Sequence, residues 1–253
     1  MNEKKRKIRE FAMDLGVDDV GVALATDLPG TSRISEMLPD ARSILVMVLK
    51  ETSSCHTDDP MAAMNGRLDG ASFIRHCSYR IARFMEKNWD AKAITIPYAF
   101  PMALGAAPRP MGIVSLRHAA VAAGLGTLGR HNLFIHPEMG SRVILFGVVT
   151  DLELPPDPLY ATDLCVNCDI CVENCPSHAL DEPGKTDVAR CASVSQPTGM
   201  AANAKFWARV LAQPPDAQKK MLYSGEYFNL LQTLHMGTQY FCFSCQKSCP
   251  VGK

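Results

Sequence analysis

Eight cysteines between residues 165 and 249 form the strongest chemical signal in this 253-residue chain. Four of them occur in the run Cys165-Val-Asn-Cys168-Asp-Ile-Cys171-Val-Glu-Asn-Cys175-Pro176, which has the C-x2-C-x2-C-x3-C-P spacing of bacterial ferredoxins. Cysteines three positions apart in a tight loop can direct three thiolates at one iron–sulfur cube, and backbone amides of the loop can donate to its sulfur atoms. The run therefore predicts a [4Fe–4S] cluster.

A second, shorter run follows at Cys242-Phe-Ser-Cys245-Gln-Lys-Ser-Cys249-Pro250, and it lacks one cysteine compared with the first run. Cys191 lies between the two runs and can supply the missing thiolate, so that eight thiolates make two cubes of four. Zinc is the alternative, since C-x2-C pairs also build zinc sites. The four-cysteine run and the trailing prolines favour iron–sulfur clusters.

The spacing also predicts how the thiolates are shared between the two cubes. In proteins with two such cubes, the fourth cysteine of a run ligates the other cluster. This rule predicts a first cysteine set of Cys165, Cys168, Cys171 and Cys249, and a second cysteine set of Cys175, Cys191, Cys242 and Cys245. Two further cysteines, Cys55 and Cys77, fall outside these sets, and we interpret both, and His56 beside the first, as structural.

The segment Gly124-Leu-Gly126-Thr-Leu-Gly129 matches the G-x-G-x-x-G pattern of dinucleotide-binding folds, and Asp151 follows where a ribose-binding acid would stand. In those folds, however, the pattern follows a strand and opens a helix. Here it follows an alanine-rich helix predicted over 114–123, and Pro137 and Gly140 leave no room for a helix before the next strand. We therefore expect a helix exit, or a place where the backbone passes close to something flat and bulky.

Helices and strands alternate along the first 150 residues, which predicts an α/β domain. Apolar residues at helical spacing predict helices over 4–15 and 71–88. Short apolar runs predict the strands, at 20–24, 43–49, 93–96 and 142–149.

Three prolines within residues 154–158 mark a domain boundary. We therefore expect one domain over 1–153 and a second domain, which holds the clusters, over 159–253. Amphipathic patterns predict two helices in the second domain, over 200–212 and 217–234.

Charge and hydropathy exclude several classes of protein. Lys and Arg total 26 and Asp and Glu total 26, so the chain has no overall charge that would attract nucleic acid or an anionic membrane. The longest apolar runs have about eight residues, whereas a membrane-spanning helix needs about 20. The basic N-terminus is not followed by a hydrophobic signal segment, and we expect a cytoplasmic protein.

The block from Leu116 to Ile135, which contains the glycine segment, resembles the signature of epoxyqueuosine reductases and reductive dehalogenases. Its sequel continues with His136-Pro-Glu-Met-Gly-Ser-Arg142, then Val149-Thr-Asp-Leu-Glu-Leu154, then the first cysteine run, in the order that those families use. The resemblance covers most of residues 5–250. It implies a nitroreductase-like α/β (α+β) domain that holds a cobalamin, followed by a small bacterial-ferredoxin-like domain with two [4Fe–4S] clusters.

The resemblance also implies roles for particular residues. The residues that it places along the corrinoid are Gly124, Gly126, Thr127, Leu128, Gly129, Arg130, His131 and Asn132. Dehalogenases use a tyrosine as proton donor, and Tyr79 or Tyr98 can serve, a buried structural tyrosine being the alternative. Epoxyqueuosine reductases carry a catalytic aspartate at a position that corresponds here to Arg109-Pro110, and they continue into a helical tRNA-binding domain where this chain ends at Lys253.

The expected function is therefore that of a cobalamin- and iron–sulfur-dependent reductase of a small organic substrate. A ferredoxin or flavodoxin is the expected electron donor, and neither a membrane nor a nucleic acid is an expected partner. One alternative is an electron-transfer or cobalamin-reducing protein with no organic substrate of its own. Another is a variant of the same fold that binds a flavin.

Overall fold

A computed structural model describes residues 2–28, 33–98, 112–237 and 241–252. The helices in these ranges are α1 (Glu3–Asp14), α2 (Ile34–Met37), α3 (Pro60–Trp89), α4 (Leu116–Ala122), α5 (Ile170–Glu173), α6 (Val188–Ser195), α7 (Met200–Leu211), α8 (Pro215–Leu222), α9 (Gly225–Met236) and α10 (Ser244–Ser248). The strands are β1 (Asp19–Leu24), β2 (Ser43–Lys50), β3 (Ala93–Thr95), β4 (Thr127–Leu128), β5 (Phe134–Ile135) and β6 (Val143–Thr150). Short 3-10 helices span Ala25–Asp27 and Ser53–His56.

A four-stranded sheet in the order β1-β2-β6-β3 forms the centre of the first domain. Every pairing in it is antiparallel: Val22 lies opposite Leu45, and Thr95 lies opposite Val148. The alternation of strands and helices predicted an α/β domain, a class in which the sheet is mostly parallel. The antiparallel pairing instead makes this domain an α+β fold, the other form that the resemblance allowed.

Helices cover both faces of this sheet. Helices α1 and α3 pack on one face, where Ile8, Ile81 and Met85 are fully buried against Phe146. Helix α4 packs on the other face through small alanine side chains, which allow its backbone to lie close to β1 and β2. The domain is therefore a three-layer arrangement that leaves the C-terminal end of α4, and the glycine segment after it, at the border of the sheet.

Helix α3 begins eleven residues earlier than the apolar pattern predicted. Asp59 caps it by accepting a hydrogen bond from the backbone N–H of Ala62 at 2.7 Å, and Pro60 occupies the first helical position. Gly66 and Gly70 lower the helix propensity of this first part, which explains why the sequence pattern missed it.

Helices α7, α8 and α9 form a small cluster around Phe206, Val210 and Leu230. The sequence predicted one helix over 217–234, but the structure has two, α8 and α9. The chain breaks at Ser224, whose hydroxyl caps α9 by accepting a hydrogen bond from the backbone N–H of Tyr227 at 3.2 Å.

The proline-rich boundary at 154–158 is held against the first domain. Leu154 is fully buried in the core beneath α1 and α3. The Asp157 carboxylate accepts hydrogen bonds from Lys5 Nζ at 2.7 Å and from the backbone N–H of Val22 at 2.9 Å. Lys5 Nζ also donates to the carbonyl oxygen of Pro155 at 2.8 Å. The segment that leads into the cysteine runs is thus fixed on α1 and β1.

Replacing Asp157 by Ala should destabilise the protein by about 3 kcal/mol, because it leaves the ammonium of Lys5, whose side chain is 8% exposed, without its carboxylate. Chemical denaturation of wild type and variant measures the difference. Glu153→Ala is the matched control, since its ion pair with Arg42 is exposed and contributes little. Equal losses in the two variants would contradict this account.

Among the helices described, none is long and apolar enough to cross a membrane.

Candidate iron–sulfur site and adjoining cavity

The first cysteine set comes together in the structure. Cys165, Cys168 and Cys171 line one small cavity, and Cys249 from the second run lines the same cavity. Cys171 and Cys249 are buried, whereas Cys168 is exposed. The four thiols that the spacing rule assigned to one cube are therefore neighbours, although they come from both runs.

The loop of the first run has an unusual backbone that its sequence permits. Asn167 has φ 51° and Asp169 has φ 54°, both in the left-handed region. Asn and Asp enter this region more readily than other non-glycine residues, because their short polar side chains can bond locally. The two residues turn the chain around the positions of Cys165, Cys168 and Cys171.

The thiols of the second cysteine set also influence one another. Burial, together with the charges of Cys191, Cys242 and Cys175, raises the pKa of Cys245 to about 12. Burial likewise raises the pKa of Cys191, with contributions from Cys242 and Cys175. Charges act in this way only over short distances, so these four thiols lie together as well. A metal bound in place of the protons would relieve the repulsion between thiolates.

Backbone N–H groups point at sulfur atoms in both sets. The N–H of Arg130 donates to Cys165 Sγ at 3.2 Å, and the N–H of Ala179 donates to Cys175 Sγ at 3.3 Å. Burial acts to raise the pKa of Cys175, but the backbone N–H groups of Ser177 and Ala179 bring it below its usual range. Soft thiolates with N–H donors are the ligand type of iron–sulfur clusters, and the residues present therefore fit two [4Fe–4S] cubes.

Single-ion geometry is absent from these sets. In the parts of the chain that the structure describes, no three side chains of His, Cys, Asp or Glu are arranged to hold one metal ion. Thiolates that bind different irons of a cube stand farther apart than the ligands of one ion, so the observed spacing is compatible with a cluster.

Arg130, directly after the glycine segment, forms hydrogen bonds with the first cysteine run and the residues that follow it. Its Nε donates to Asp169 Oδ1 at 3.0 Å, and its Nη1 donates to the carbonyl oxygen of Leu180 at 2.8 Å. Arg130 and His131 also line the cavity of the first cysteine set. Of the residues predicted along a corrinoid, these two therefore lie beside a candidate cluster.

The glycines of this segment are needed for the packing of the chain itself. Gly124 has φ +72° just after α4, which confirms the expected helix exit, and a Cβ atom on it would lie 2.1 Å from the carbonyl oxygen of Pro158. A Cβ on Gly126 would lie 2.0 Å from the carbonyl oxygen of Ile135, and one on Gly129 would lie 2.6 Å from the His131 ring. The glycines thus give no evidence of room for a macrocycle, and corrinoid contacts of residues 124–132 stay a prediction.

A much larger cavity, of about 1110 Å³, lies between α3, α4, β6 and the second cysteine run. Tyr79 and Tyr98 both line it and are 48% and 42% exposed, so the expectation of a buried structural tyrosine is wrong for both. Phe243 and Gln246, on either side of Cys245 in the sequence, form part of its wall. The second cysteine set is thus next to this cavity.

One wall of the large cavity carries a buried polar cluster, which consists of Glu51, His56, Arg67 and Gln246. Arg67 Nε lies 3.4 Å from Glu51 Oε1, and His56 Nε2 lies 3.2 Å from Glu51 Oε2. The guanidinium of Arg67 also stacks over the ring of Phe243, 3.2 Å from its centroid. This polar cluster was not predicted from the sequence, and His56 was interpreted as structural, because Gln246 is far in the sequence from the other three residues.

The charge state of the polar cluster follows from burial. Burial raises the pKa of Glu51, although Arg67 acts in the opposite direction. Burial and the nearby charge of Arg67 lower the pKa of His56 to about 4. His56 therefore contacts Glu51 as a neutral imidazole near pH 7.

Acid should destabilise the protein through His56. Because the folded pKa of about 4 lies below the unfolded value of 6.5, the unfolded state takes up the proton first, and stability falls as the pH drops from 6.5 towards 4. Between pH 7 and pH 5 this effect amounts to about 2 kcal/mol. His56→Gln should lose about 2 kcal/mol less than wild type over this range in anaerobic guanidinium denaturation. His235→Gln, at an exposed site on α9, should retain the full loss; an unchanged pH dependence in His56→Gln would refute the assignment.

Comparisons with known proteins agree with this geometry. Residues 159–181 match the 4Fe-4S binding domain family. The epoxyqueuosine reductase of Staphylococcus aureus is 27% identical over 258 aligned positions, which cover 100% of this chain and 58% of that protein. The Synechococcus enzyme of the same name is 43% identical over 72 residues, 28% of this chain and 22% of that protein. The chain is therefore similar to epoxyqueuosine reductases over its full length.

Solved structures of epoxyqueuosine reductases and of a reductive dehalogenase share the fold of this chain. Epoxyqueuosine reductase from Streptococcus thermophilus aligns with a TM-score of 0.63 at 19% identity, covering 100% of this chain and 66% of that chain. A catabolic reductive dehalogenase aligns with a TM-score of 0.58 at 19% identity, covering 78% of this chain and 30% of that chain. This chain spans less than three fifths of the length of the Staphylococcus and Synechococcus enzymes.

Two of the similar solved structures concern a nucleic-acid ligand and a cofactor. One holds an epoxyqueuosine reductase with an epoxyqueuosine-modified tRNA stem loop, and another attributes B12-dependent dehalogenation to a reductive dehalogenase. Nucleic acid, which the sequence analysis did not expect as a partner, is thus bound by one relative. The position expected to correspond to the catalytic aspartate of epoxyqueuosine reductases, Arg109-Pro110, lies outside the described residues.

Proposed function

We propose that this chain is an iron–sulfur reductase that passes electrons through two [4Fe–4S] clusters to a cobalamin in the large cavity, for the reduction of a small organic substrate. The observation that carries the proposal is the position of this 1110 Å³ cavity against the second cysteine run. Most pockets for small molecules measure about 300–1,000 Å³, so this one suits a large cofactor with a substrate beside it.

The proposed electron route uses the sharing of thiolates between the two cysteine sets. Each run contributes to both sets, which keeps the two cubes close enough for electrons to pass between them. Cys168 of the first set is exposed and marks a surface that a ferredoxin or flavodoxin can approach. Phe243 and Gln246 line the cavity and neighbour Cys242 and Cys245 in the sequence, so the second cluster would pass its electrons to the cofactor on this side.

The side chains of the cavity have their own tasks. A bound corrinoid supplies a low-potential cobalt at which a substrate bond can be reduced. Leu116, Leu133 and Phe134 provide an apolar wall that excludes water. Tyr79 and Tyr98 hold phenolic protons at the cavity surface, where a product would need one.

Absorption spectra of the anaerobically reconstituted protein test the proposal. With added cobalamin, a bound corrinoid should co-elute with the protein in about equimolar amount, together with the broad visible absorption of the iron–sulfur clusters. Binding of a flavin in place of the corrinoid would support the flavin alternative. Retention of neither cofactor would leave an iron–sulfur electron carrier and overturn the proposal.

A turnover assay distinguishes a reductase with its own substrate from a protein that only delivers electrons. Reduced holoprotein is mixed with 3-bromo-4-hydroxybenzoic acid, which is bound in one dehalogenase structure, or with an epoxyqueuosine-modified tRNA stem loop. Release of bromide would identify a dehalogenating reductase, and conversion of the modified base would identify a tRNA-modifying one. Reduction of cobalamin alone, with no turnover of these or other organic acceptors, would favour the electron-transfer alternative.

A further inference from the structure

Two residues of the polar cluster, Arg67 and Gln246, have unused hydrogen-bonding atoms at the wall of the large cavity. Arg67 Nη2 and Gln246 Oε1 are buried, and neither has a hydrogen-bond partner among the described residues, whereas Glu51 Oε2 lies 3.2 Å from His56 Nε2. Gln246 is only 4% exposed. Buried polar atoms without partners cost folding free energy, so a ligand that supplies the partners is expected at this point.

The unused atoms are held in fixed directions. Gln246 Nε2 donates to the carbonyl oxygen of Ser141 at 2.6 Å, which leaves Oε1 as the free acceptor of that amide. The hydroxyl of Ser141 donates in turn to the carbonyl oxygen of Gln246 at 3.4 Å. Arg67 is fixed by Glu51 on one edge and by the ring of Phe243 beneath it. One donor, on Arg67, and one acceptor, on Gln246, are thus preorganised at the wall.

This arrangement selects a particular chemical group. A carboxylate would be attracted by Arg67 but repelled by Glu51, and an ammonium would meet the opposite conflict. An ester accepts a hydrogen bond but has no N–H group for Gln246 Oε1. A primary carboxamide is neutral, accepts through its oxygen from Arg67 Nη2, and donates through its NH₂ group to Gln246 Oε1.

We propose that Glu51, Arg67 and Gln246 form a binding site for a primary carboxamide. The inference rests on the proposed cofactor, because the rim of a corrinoid carries several such groups. A small substrate with a carboxamide is the other source of the same chemistry. In either case the site fixes the orientation of the ligand in the cavity beside the second cysteine set.

The experiment compares amides with esters on cluster-loaded protein under anaerobic conditions. Dicyanocobinamide, whose ring carries primary amides, is titrated beside the heptamethyl ester of dicyanocobyrinic acid, and benzamide is titrated beside methyl benzoate. Calorimetry gives each dissociation constant. We expect the amide corrinoid to bind wild type at least about tenfold more tightly than the ester corrinoid, a difference of about 1.4 kcal/mol.

Gln246→Leu should reduce the preference for the amide about tenfold, while Gln232→Leu, at an exposed site on α9, should leave it unchanged. Iron analysis of the Gln246 variant checks that both clusters remain, and the comparison of ligands on wild type decides the question if they do not. Equal affinity for amide and ester in both pairs overturns the inference while the proposed cofactor stands.

The two sources of the carboxamide give different patterns. A preference in the corrinoid pair assigns the carboxamide to the cofactor. A preference in the benzamide pair alone assigns it to a substrate. If neither corrinoid binds wild type, the proposed cofactor fails, and the benzamide pair still shows whether the carboxamide site exists.

Discussion

Replacing Cys249 by Ala is expected to abolish the cluster on Cys165, Cys168 and Cys171, and to leave the cluster near Cys245 in place. The reason is geometric: Cys249 belongs to the second run, but it lines the cavity of the first cysteine set. Iron should fall from about eight to about four atoms per chain, because a cube that loses one of its four thiolates is expected to be lost from the protein.

Double variants show which cluster is lost. Cys249→Ala combined with Cys168→Ala should retain as much iron as either single variant, because both remove the same cube. Cys249→Ala combined with Cys245→Ala should lose nearly all of it. Cys77→Ala, a buried thiol outside both sets, is the control that keeps every iron atom. The sharing of ligands is refuted if the pair Cys249 and Cys245 retains one full cluster.

Gly124→Ala should destabilise the fold by about 3 kcal/mol or more. Gly124 has φ +72°, which costs a residue with a Cβ atom about 1 kcal/mol or more. The added methyl group would also lie 2.1 Å from the carbonyl oxygen of Pro158, which cannot move away easily because the neighbouring Asp157 is hydrogen-bonded to Val22 of β1. The free energy of unfolding, measured by chemical denaturation, reports the sum.

Gly184→Ala distinguishes the cost of the positive φ angle from the cost of the clash with Pro158. Gly184 has φ +70°, almost the same backbone conformation, but no atom lies within 4 Å of the position of its Cβ. Its replacement should therefore cost about 1 kcal/mol. Similar losses for the two variants would contradict the clash with Pro158. Gly126→Val would meet the carbonyl oxygen of Ile135 in the same way, so that substitution tests the fold rather than a ligand.

Local spacing made the cysteine sites readable from the sequence. The first run needs only a short loop to direct three thiols inward, and the residues within it, Asn167 and Asp169, are of the types that such a loop requires. The partnership of Cys249 with the first run is a long-range contact, and it was predictable because the ferredoxin spacing carries a known rule for sharing ligands.

The large cavity and its polar cluster could not be predicted in this way. Glu51 follows β2, Arg67 lies on α3, and Gln246 lies on α10, and no periodicity links them. The antiparallel pairing of the sheet could not be predicted from the alternation of helices and strands either. Strands β2 and β6 become neighbours only after the intervening α3, β3 and α4 have packed. Helix propensity did not predict the first part of α3, because Gly66 and Gly70 lower the propensity there.

The shared cavity of Cys171 and Cys249 has a consequence for biosynthesis. Cys249 follows Cys171 by 78 positions, and a ribosome that adds about 5–20 residues per second needs roughly 4–16 seconds to cover them. During that time the nascent chain presents three of the four thiols and lacks the last. The first cluster can therefore be completed only after Cys249 has been synthesised, and until then Cys165, Cys168 and Cys171 are open to oxidation.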